Sequence, residues 1–342
     1  MLRQSILFLS DSPTAKKIVT GAPISRHLAQ RFVAGETLDD AIRAARNCNH
    51  LGLTASLDFL GESVSSREEA LEATEMAIRS VEAIVDNRVD GNISIKPTQL
   101  GLDIDEQFCR ENVERLLARA AQLGASEGEI FVRLDMESSE YVARTVALTE
   151  SLRAAGFKNV GTVLQSYMRR SPDDIRRLSE IGTRVRLVKG AYKEPASVAF
   201  QDKADVDAQF VREMKQLLEN GTYPAIATHD EKMIEATRHW AFERGIAKDA
   251  FEFQMLYGVR RDLQQRLREE GYNVRVYIPY GNSWYPYLMR RMAERPANLF
   301  FIANSVIKES PVSRFLKPAA IASGALAGAL AALVWRGRGN GR

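Results

Sequence analysis

Cysteine is almost missing from this 342-residue chain: Cys48 and Cys109 are the two that occur, and they show no metal-ligand spacing. So few thiols exclude a disulfide framework, and a reducing compartment is the simplest reading, with both side chains expected to be buried and inert. Histidine is nearly as scarce. His229 stands in no ligand spacing with His27, His50 or His239, which argues against a metal centre. An excess of one charge is lacking too: 47 Lys and Arg face 44 acids, a balance of +3. That excludes a dedicated nucleic-acid binder, which needs a concentrated basic face, whereas the local surplus here sits at the two ends. The apolar run within Met1–Ser10 is too short for a secretory signal and lacks a small-residue cleavage pattern. No G-x-G-x-x-G loop follows the first strand-like run, which weakens a Rossmann reading.

What is present is an alternation. Short apolar, β-branched runs that end in a polar residue are followed by stretches of helical periodicity. The runs lie at 53–60, 92–96, 129–135, 160–165, 184–189, 225–229, 251–256 and 274–278. Helical stretches fall between them at 66–85, 105–122, 139–155, 172–180, 206–219, 232–244 and 260–270. Ser171-Pro172-Asp173-Asp174 reads as a helix start, with a capping serine, proline in the first turn and acids behind it. Eight strand–helix units in this length predict a closed parallel (β/α)8 TIM-like barrel, with an open doubly wound sheet as the alternative. Residues 1–48 are expected to form an N-terminal helical arm, 49–307 the barrel, and 308–342 a tail containing a C-terminal hydrophobic helix. Asn298–Val306 reads as a further short helix or closing segment.

In a parallel barrel the active site lies at the C-terminal ends of the strands. Those positions hold Glu62, Lys96, Asp135, Gln165, Arg186, Lys189, Thr228, His229, Gln254 and Tyr277. Any one of them is ordinarily a solvated strand end, but as a set at one rim they describe a polar ligand site. The densest segment is Val274–Glu294, in which a strand, a Pro-Tyr-Gly turn and an aromatic-rich helix lead to Tyr287, Arg290 and Arg291. Paired guanidinium groups suit a small carboxylate, because each binds it bidentately and stays charged. The alternative is a surface arginine pair on an amphipathic helix.

The Val274–Glu294 segment resembles the C-terminal signature of the proline dehydrogenase family, with its Tyr-x-x-Arg-Arg-x-x-Glu pattern. Arg184–Tyr192, Ile93–Lys96, Phe131–Asp135, Ala227–His229 and Phe251–Leu256 resemble further family motifs in the same order, so the likeness covers roughly residues 30–307. The resemblance implies the same barrel and an enzyme that oxidises L-proline to Δ1-pyrroline-5-carboxylate with FAD, passing electrons to a membrane quinone. It implies that Arg290 and Arg291 bind the substrate carboxylate with help from Lys96, and that Tyr277, Tyr287 and Leu256 shape the pocket. Glu62 resembles an acid that pairs with one arginine and gates the pocket. Asp135 and Arg186 correspond to catalytic positions, Arg186 also beside the flavin N5. Met136, Gln165, Lys189, Gly190, Ala191, Thr228 and His229 resemble FAD contacts. Lys203 is a further phosphate-ligand candidate, with a solvated charge pair to its neighbouring acid as the alternative. Pyrroline-5-carboxylate dehydrogenase is the implied metabolic partner, and nucleic acid is not expected.

Ala319–Trp335 is an uncharged run of 17 residues followed by Arg336 and Arg338, borderline in length for spanning hydrocarbon. Its Gly324-x-x-x-Gly328 spacing suits close helix packing. It reads either as a helix docked on the barrel or as an anchor, which places the protein in the cytoplasm or at the cytoplasmic face of the inner membrane. The rival to the enzyme reading is a catalytically idle barrel that binds a ligand or scaffolds a membrane. A third reading, an aldolase-like or hydrolytic barrel, would use Lys96 or Lys189 as nucleophile.

Overall fold

A computed structural model of the chain describes residues 29–61, 64–124 and 130–294, with side chains as far as Arg291. Contacts divide it into two compact units, and residues 30–284 form one of them. Its elements run α1 (Leu38–His50), β1 (Thr54–Phe59), α2 (Arg67–Asp86), β2 (Gly91–Ile95), a 3-10 turn (Pro97–Leu100), α3 (Glu106–Gly124) and β3 (Val132–Leu134). They continue with α4 (Ser139–Ala154), β4 (Val160–Gln165), α5 (Ser171–Glu180), β5 (Arg184–Val188), α6 (Lys203–Asn220), β6 (Ala225–Ala227), α7 (Glu231–Glu243), β7 (Glu252–Leu256), α8 (Arg261–Glu269) and β8 (Asn273–Tyr280). All eight strands are parallel and close into a barrel in sequence order. The open-sheet alternative is therefore excluded, because β1 pairs with β8 from Thr54↔Arg275 to Phe59↔Tyr280.

Strand residues alternate between two environments. One set is apolar and buried between sheet and helices: Leu57, Ile93, Ile95, Val132, Leu134, Leu187, Phe253, Met255, Val276 and Ile278. At roughly 25 cal/mol per Å², this layer supplies most of the driving force for folding. The other set faces into the barrel and is polar, as its hydrogen bonds across non-adjacent strands require. Arg186 on β5, for example, reaches Ser94 on β2 and Asp135 just after β3.

The helices start where local chemistry dictates. Thr37 and Asp40 form a reciprocal capping box at the head of α1. The Ser66 hydroxyl accepts from the Glu69 amide at 3.1 Å at the head of α2. The expected cap at Ser171 is absent, because its hydroxyl instead donates to the Gln165 carbonyl at 2.7 Å; Arg170 holds the cap position without a side-chain bond. That buried bond ties the head of α5 to the mouth end of β4. β6 ends at Ala227, short of the expected His229, because Asp230 caps α7 through the Lys232 amide at 3.1 Å.

Residues ahead of α1 run along the ends of β7 and β8. The Ala34 amide donates to the Pro279 carbonyl at 2.9 Å, and Gly258 (φ +73°) lies where a Cβ would sit 1.6 Å from the Arg31 carbonyl oxygen.

From Tyr285 onward α9 (Trp284–Glu294) belongs to the second compact unit and is considered by itself. Glu62, Asn298–Val306, the arm before residue 29 and the tail 319–335 lie outside the described residues. Among the described residues no helix is long and apolar enough to cross a membrane.

Candidate active site

The barrel lumen carries two stacked polar layers. Toward the N-terminal ends of the strands, Arg275 on β8 donates to Glu252 on β7 at 3.0 Å and to the Ala55 carbonyl on β1 at 2.8 Å. Burial works against the Arg275 charge, but Glu252 outweighs it and the guanidinium is held above its usual range. Burial likewise opposes ionisation of Glu252, yet Arg275 and then Arg133 hold its carboxyl below the usual value. Arg133 on β3 donates to the Thr162 and Arg184 carbonyls at 3.2 Å each. Burial first, and then the Arg186 charge, pull it down to about 9, so it stays charged at neutral pH.

Above this layer lies a network centred on Arg186. Its NH1 donates to Asp135 Oδ1 at 2.7 Å and its NH2 to Ser94 Oγ at 3.0 Å, while Nε donates to Gln254 Oε1. Asp135 Oδ2 accepts from the Tyr277 hydroxyl at 2.7 Å, and the Arg186 guanidinium stacks over the Tyr277 ring at 5.2 Å. Burial, followed by the charges of Asp135 and Asp58, pushes the Tyr277 phenol well above its usual value, so it is a donor at every physiological pH. Lys96, immediately after β2, donates to Asp58 Oδ1 at 2.8 Å; both side chains are buried. Burial holds the Asp58 carboxyl above its usual value against the opposing pull of Lys96.

Outside the lumen, the β5–α6 loop is fastened by charge. Lys189 donates to Asp207 at 2.6 Å and to Asp230 at 2.8 Å, which ties the end of β5 to the first turn of α6 and the cap of α7. Lys203 also binds Asp207, across one turn of α6, so its partner is not the adjacent Asp202. Burial opposes both carboxylates, but the lysines lower Asp207 and Asp230 below the usual range. Gly190 follows at φ +113°, where a Cβ would meet the Tyr167 ring at 2.5 Å. Only glycine fits that spot, and it leaves backbone bare. His229 Nε2 accepts from the Leu256 amide at 2.9 Å, which fixes its tautomer with the proton on Nδ1. The Thr228 hydroxyl accepts from the Asp230 amide at 3.1 Å. Gln165 donates to the Glu137 carbonyl at 3.1 Å, while its buried Oε1 has no partner among the described residues. Met136 is buried, and Ala191 and Leu256 are half-buried.

Lys96, Asp135, Arg186, Gln254 and Tyr277 are thus brought together in and above one lumen. Asp58, Ser94, Arg133, Glu252 and Arg275 belong to the same interior, although the strand-end rule passed over them. A period of two would have found four of the five, though not Asp58: stepping back along each strand, Lys96 leads to Ser94, Asp135 to Arg133, Gln254 to Glu252 and Tyr277 to Arg275. In the second unit, α9 brings the Arg291 guanidinium over the Tyr287 ring at 5.1 Å, one turn back on the same helix. Arg290 shares that helix. Both cysteines are buried, and burial raises their thiols to about 11 for Cys48 and about 12 for Cys109. Unreactive thiols are the consequence. Among the described residues no cluster of His, Cys, Asp and Glu could hold a metal ion.

Comparison with known proteins adds three kinds of match. The proline dehydrogenase family profile matches residues 41–304. Proline dehydrogenase 2 of Bacillus subtilis is 42% identical over 307 residues, spanning 90% of this chain and 99% of the relative. The proline dehydrogenase of Deinococcus radiodurans is 40% identical over 312 residues, spanning 90% and 98%. Among solved structures, proline utilization A from Bdellovibrio bacteriovorus, inactivated by N-propargylglycine, aligns with TM-score 0.72 at 28% identity. The alignment covers 89% of this chain but 36% of that much longer one.

Proposed function

The chain belongs to the proline dehydrogenase family and catalyses proline oxidation, the first step of proline catabolism, and on that premise we propose how its residues divide the work. L-proline loses a hydride from C5 and a proton from nitrogen, leaving the C=N bond of Δ1-pyrroline-5-carboxylate. FAD, when bound, supplies the hydride acceptor.

The mouth of the barrel fits a flavin on two counts: the buried Gln165 Oε1 is an acceptor without a protein partner among the described residues, and Gly190 bares backbone where any other residue would strike Tyr167. Met136, Gln165, Arg186, Lys189, Gly190, Ala191, Thr228 and His229 would hold it. Lys189 is held in place by Asp207 and Asp230. Arg186 is the observation that carries the reading. A buried guanidinium immobilised by Asp135, Ser94 and Gln254 is a preorganised positive charge, and it needs no rearrangement when negative charge develops nearby. Asp135 serves by orienting it, and Tyr277, always protonated, anchors Asp135 from the other side.

Lys96, Arg290 and Arg291 take the substrate carboxylate, while Tyr277, Tyr287 and Leu256 bound its ring and Glu62 gates the entrance. For Lys96 the support is a buried ammonium at the barrel mouth. For the two arginines it is the Tyr-x-x-Arg-Arg motif on α9. Capture of the carboxylate fixes the ring for transfer, so catalysis rests mainly on orientation and charge. Accordingly Arg291→Ala raises KM for proline by about 10²-fold, the scale of one lost charge-assisted pair, and the purified protein keeps its flavin. Loss of flavin from that variant contradicts the assignment.

Electrons leave for a membrane quinone, and pyrroline-5-carboxylate dehydrogenase takes the product. The enzyme works in the cytoplasm or at the cytoplasmic face of the inner membrane. The apolar run 319–335, preceded by Lys317 and followed by Arg336 and Arg338, supports the membrane-facing part of this reading. Proline-driven reduction of a soluble quinone, and vesicle binding that is lost on deleting residues 319–342, test it.

A further inference from the structure

Asp58 is a buried carboxylate in the upper lumen that this division of work leaves without a task. It lies one residue from the end of β1 with 1% of its surface exposed, and its Oδ1 accepts from Lys96 Nζ at 2.8 Å. Lys96 is itself 6% exposed. An ammonium so far from water keeps its charge only beside a carboxylate, since desolvation alone lowers a lysine pKa by up to several units.

Among the described residues, charged and titratable groups of the upper lumen beside Lys96 include Asp58 on β1, Asp135 after β3, Arg186 on β5 and Tyr277 on β8. Asp135 is already committed: one oxygen accepts from Arg186 and the other from Tyr277. Tyr277 is a neutral donor, and Arg186 carries the same charge as the lysine. Two ion pairs of the upper lumen are Asp135 with Arg186 and Asp58 with Lys96.

We propose that Asp58 is a positioning residue for proline oxidation, whose carboxylate keeps the Lys96 ammonium charged and held in one direction so that it can grip the substrate carboxylate. The inference rests on the reading of Lys96 as a substrate ligand. Asp58 is buried and its Oδ1 is bonded to Lys96 Nζ, so its effect runs through Lys96.

The test is the ratio of KM for L-proline in the Asp58→Asn holoenzyme to that of the wild type, measured across roughly pH 6 to 9, the range in which a buried lysine stripped of its counterion titrates. Taking the ratio cancels the titration of proline itself. The ratio is expected to climb about tenfold per pH unit above the lowered lysine pKa, with kcat within about twofold of wild type. Asp58→Glu restores the charge and flattens the ratio. A merely structural role would give a ratio independent of pH, and that result overturns the proposal. Asp58→Ser replaces the amide variant if the latter precipitates, and is read by the same profile.

Binding of cyclopentanecarboxylate, which has the ring and carboxylate but no oxidisable amine, separates the two levels of argument. If the wild type neither binds it nor oxidises proline, the site assignment fails and this inference with it. If the wild type does both and the ratio stays flat, Asp58 alone loses its role.

Discussion

At the scale of single residues, the centre of the site is over-determined. Arg186 makes three side-chain hydrogen bonds that use the fork of the guanidinium, to Asp135, Ser94 and Gln254. A lysine carries the same charge but offers one nitrogen, so it satisfies at most part of this set and leaves buried acceptors unpaired. Arg186→Lys should lower kcat by roughly 10²-fold or more, the scale for losing a preorganised charge, with single-turnover flavin reduction as the measurement. Near-normal reduction in that variant would remove Arg186 from the chemistry. Gly190 is a second point without slack, at φ +113° and against the Tyr167 ring. Gly190→Ala should cost about 1–3 kcal/mol of stability from strain, read as a lowered unfolding midpoint, together with weakened flavin retention. An unchanged midpoint would mean the loop relaxes freely. These positions also show what a sequence conceals. Asp58 sits inside the run Leu53–Leu60, where apolar neighbours mask it, and its importance depends on the strand register that sets it beside β2.

At the scale of elements, the sequence reads well where one periodicity dominates. Strands β4 and β5 and helices α2 and α4 match their expected limits within a residue or so, because their apolar spacing has one reading. Departures occur at ends, where a single hydrogen bond decides, as when Ser171 turns inward to Gln165 instead of capping α5. The helix layer also holds a pH-sensitive group that the sequence did not single out. Glu213 on α6 is 1% exposed, accepts from Gln209 at 2.9 Å, and is pushed up to about 7 by burial. Since the folded value lies above the ordinary carboxylate value of 4.5, this acid's contribution to stability is intact below that pH and is lost as the pH rises through about 7. Glu213→Gln should therefore be more stable than wild type near pH 8 and little different near pH 4.5, with an upper bound of about 3 kcal/mol on the gain. Chemical denaturation at the two pH values checks it, and equal effects at both would show that Glu213 does not titrate there.

At the scale of the whole molecule, the barrel explains why the lumen can be so polar. The apolar load is carried by the outer layer between strands and helices, where Leu57, Phe253, Ile278 and their neighbours are buried. The interior is thereby released to hold Arg133, Glu252 and Arg275 below and Asp58, Lys96, Asp135, Arg186 and Tyr277 above, each charge matched by a partner or backbone carbonyls. The strand count made closure legible in the sequence, and motif order made the family legible. The pairing of the interior charges was not legible, since it depends on which strands face each other across the lumen. The central claim is that this charged lumen serves a flavin that proline reduces. Its most direct test is the visible spectrum of the purified protein under anaerobic conditions. The expected result is a yellow protein with a bound-flavin spectrum that bleaches when L-proline is added. Protein that stays colourless after reconstitution with FAD, or flavin that keeps its colour in the presence of proline, would contradict it.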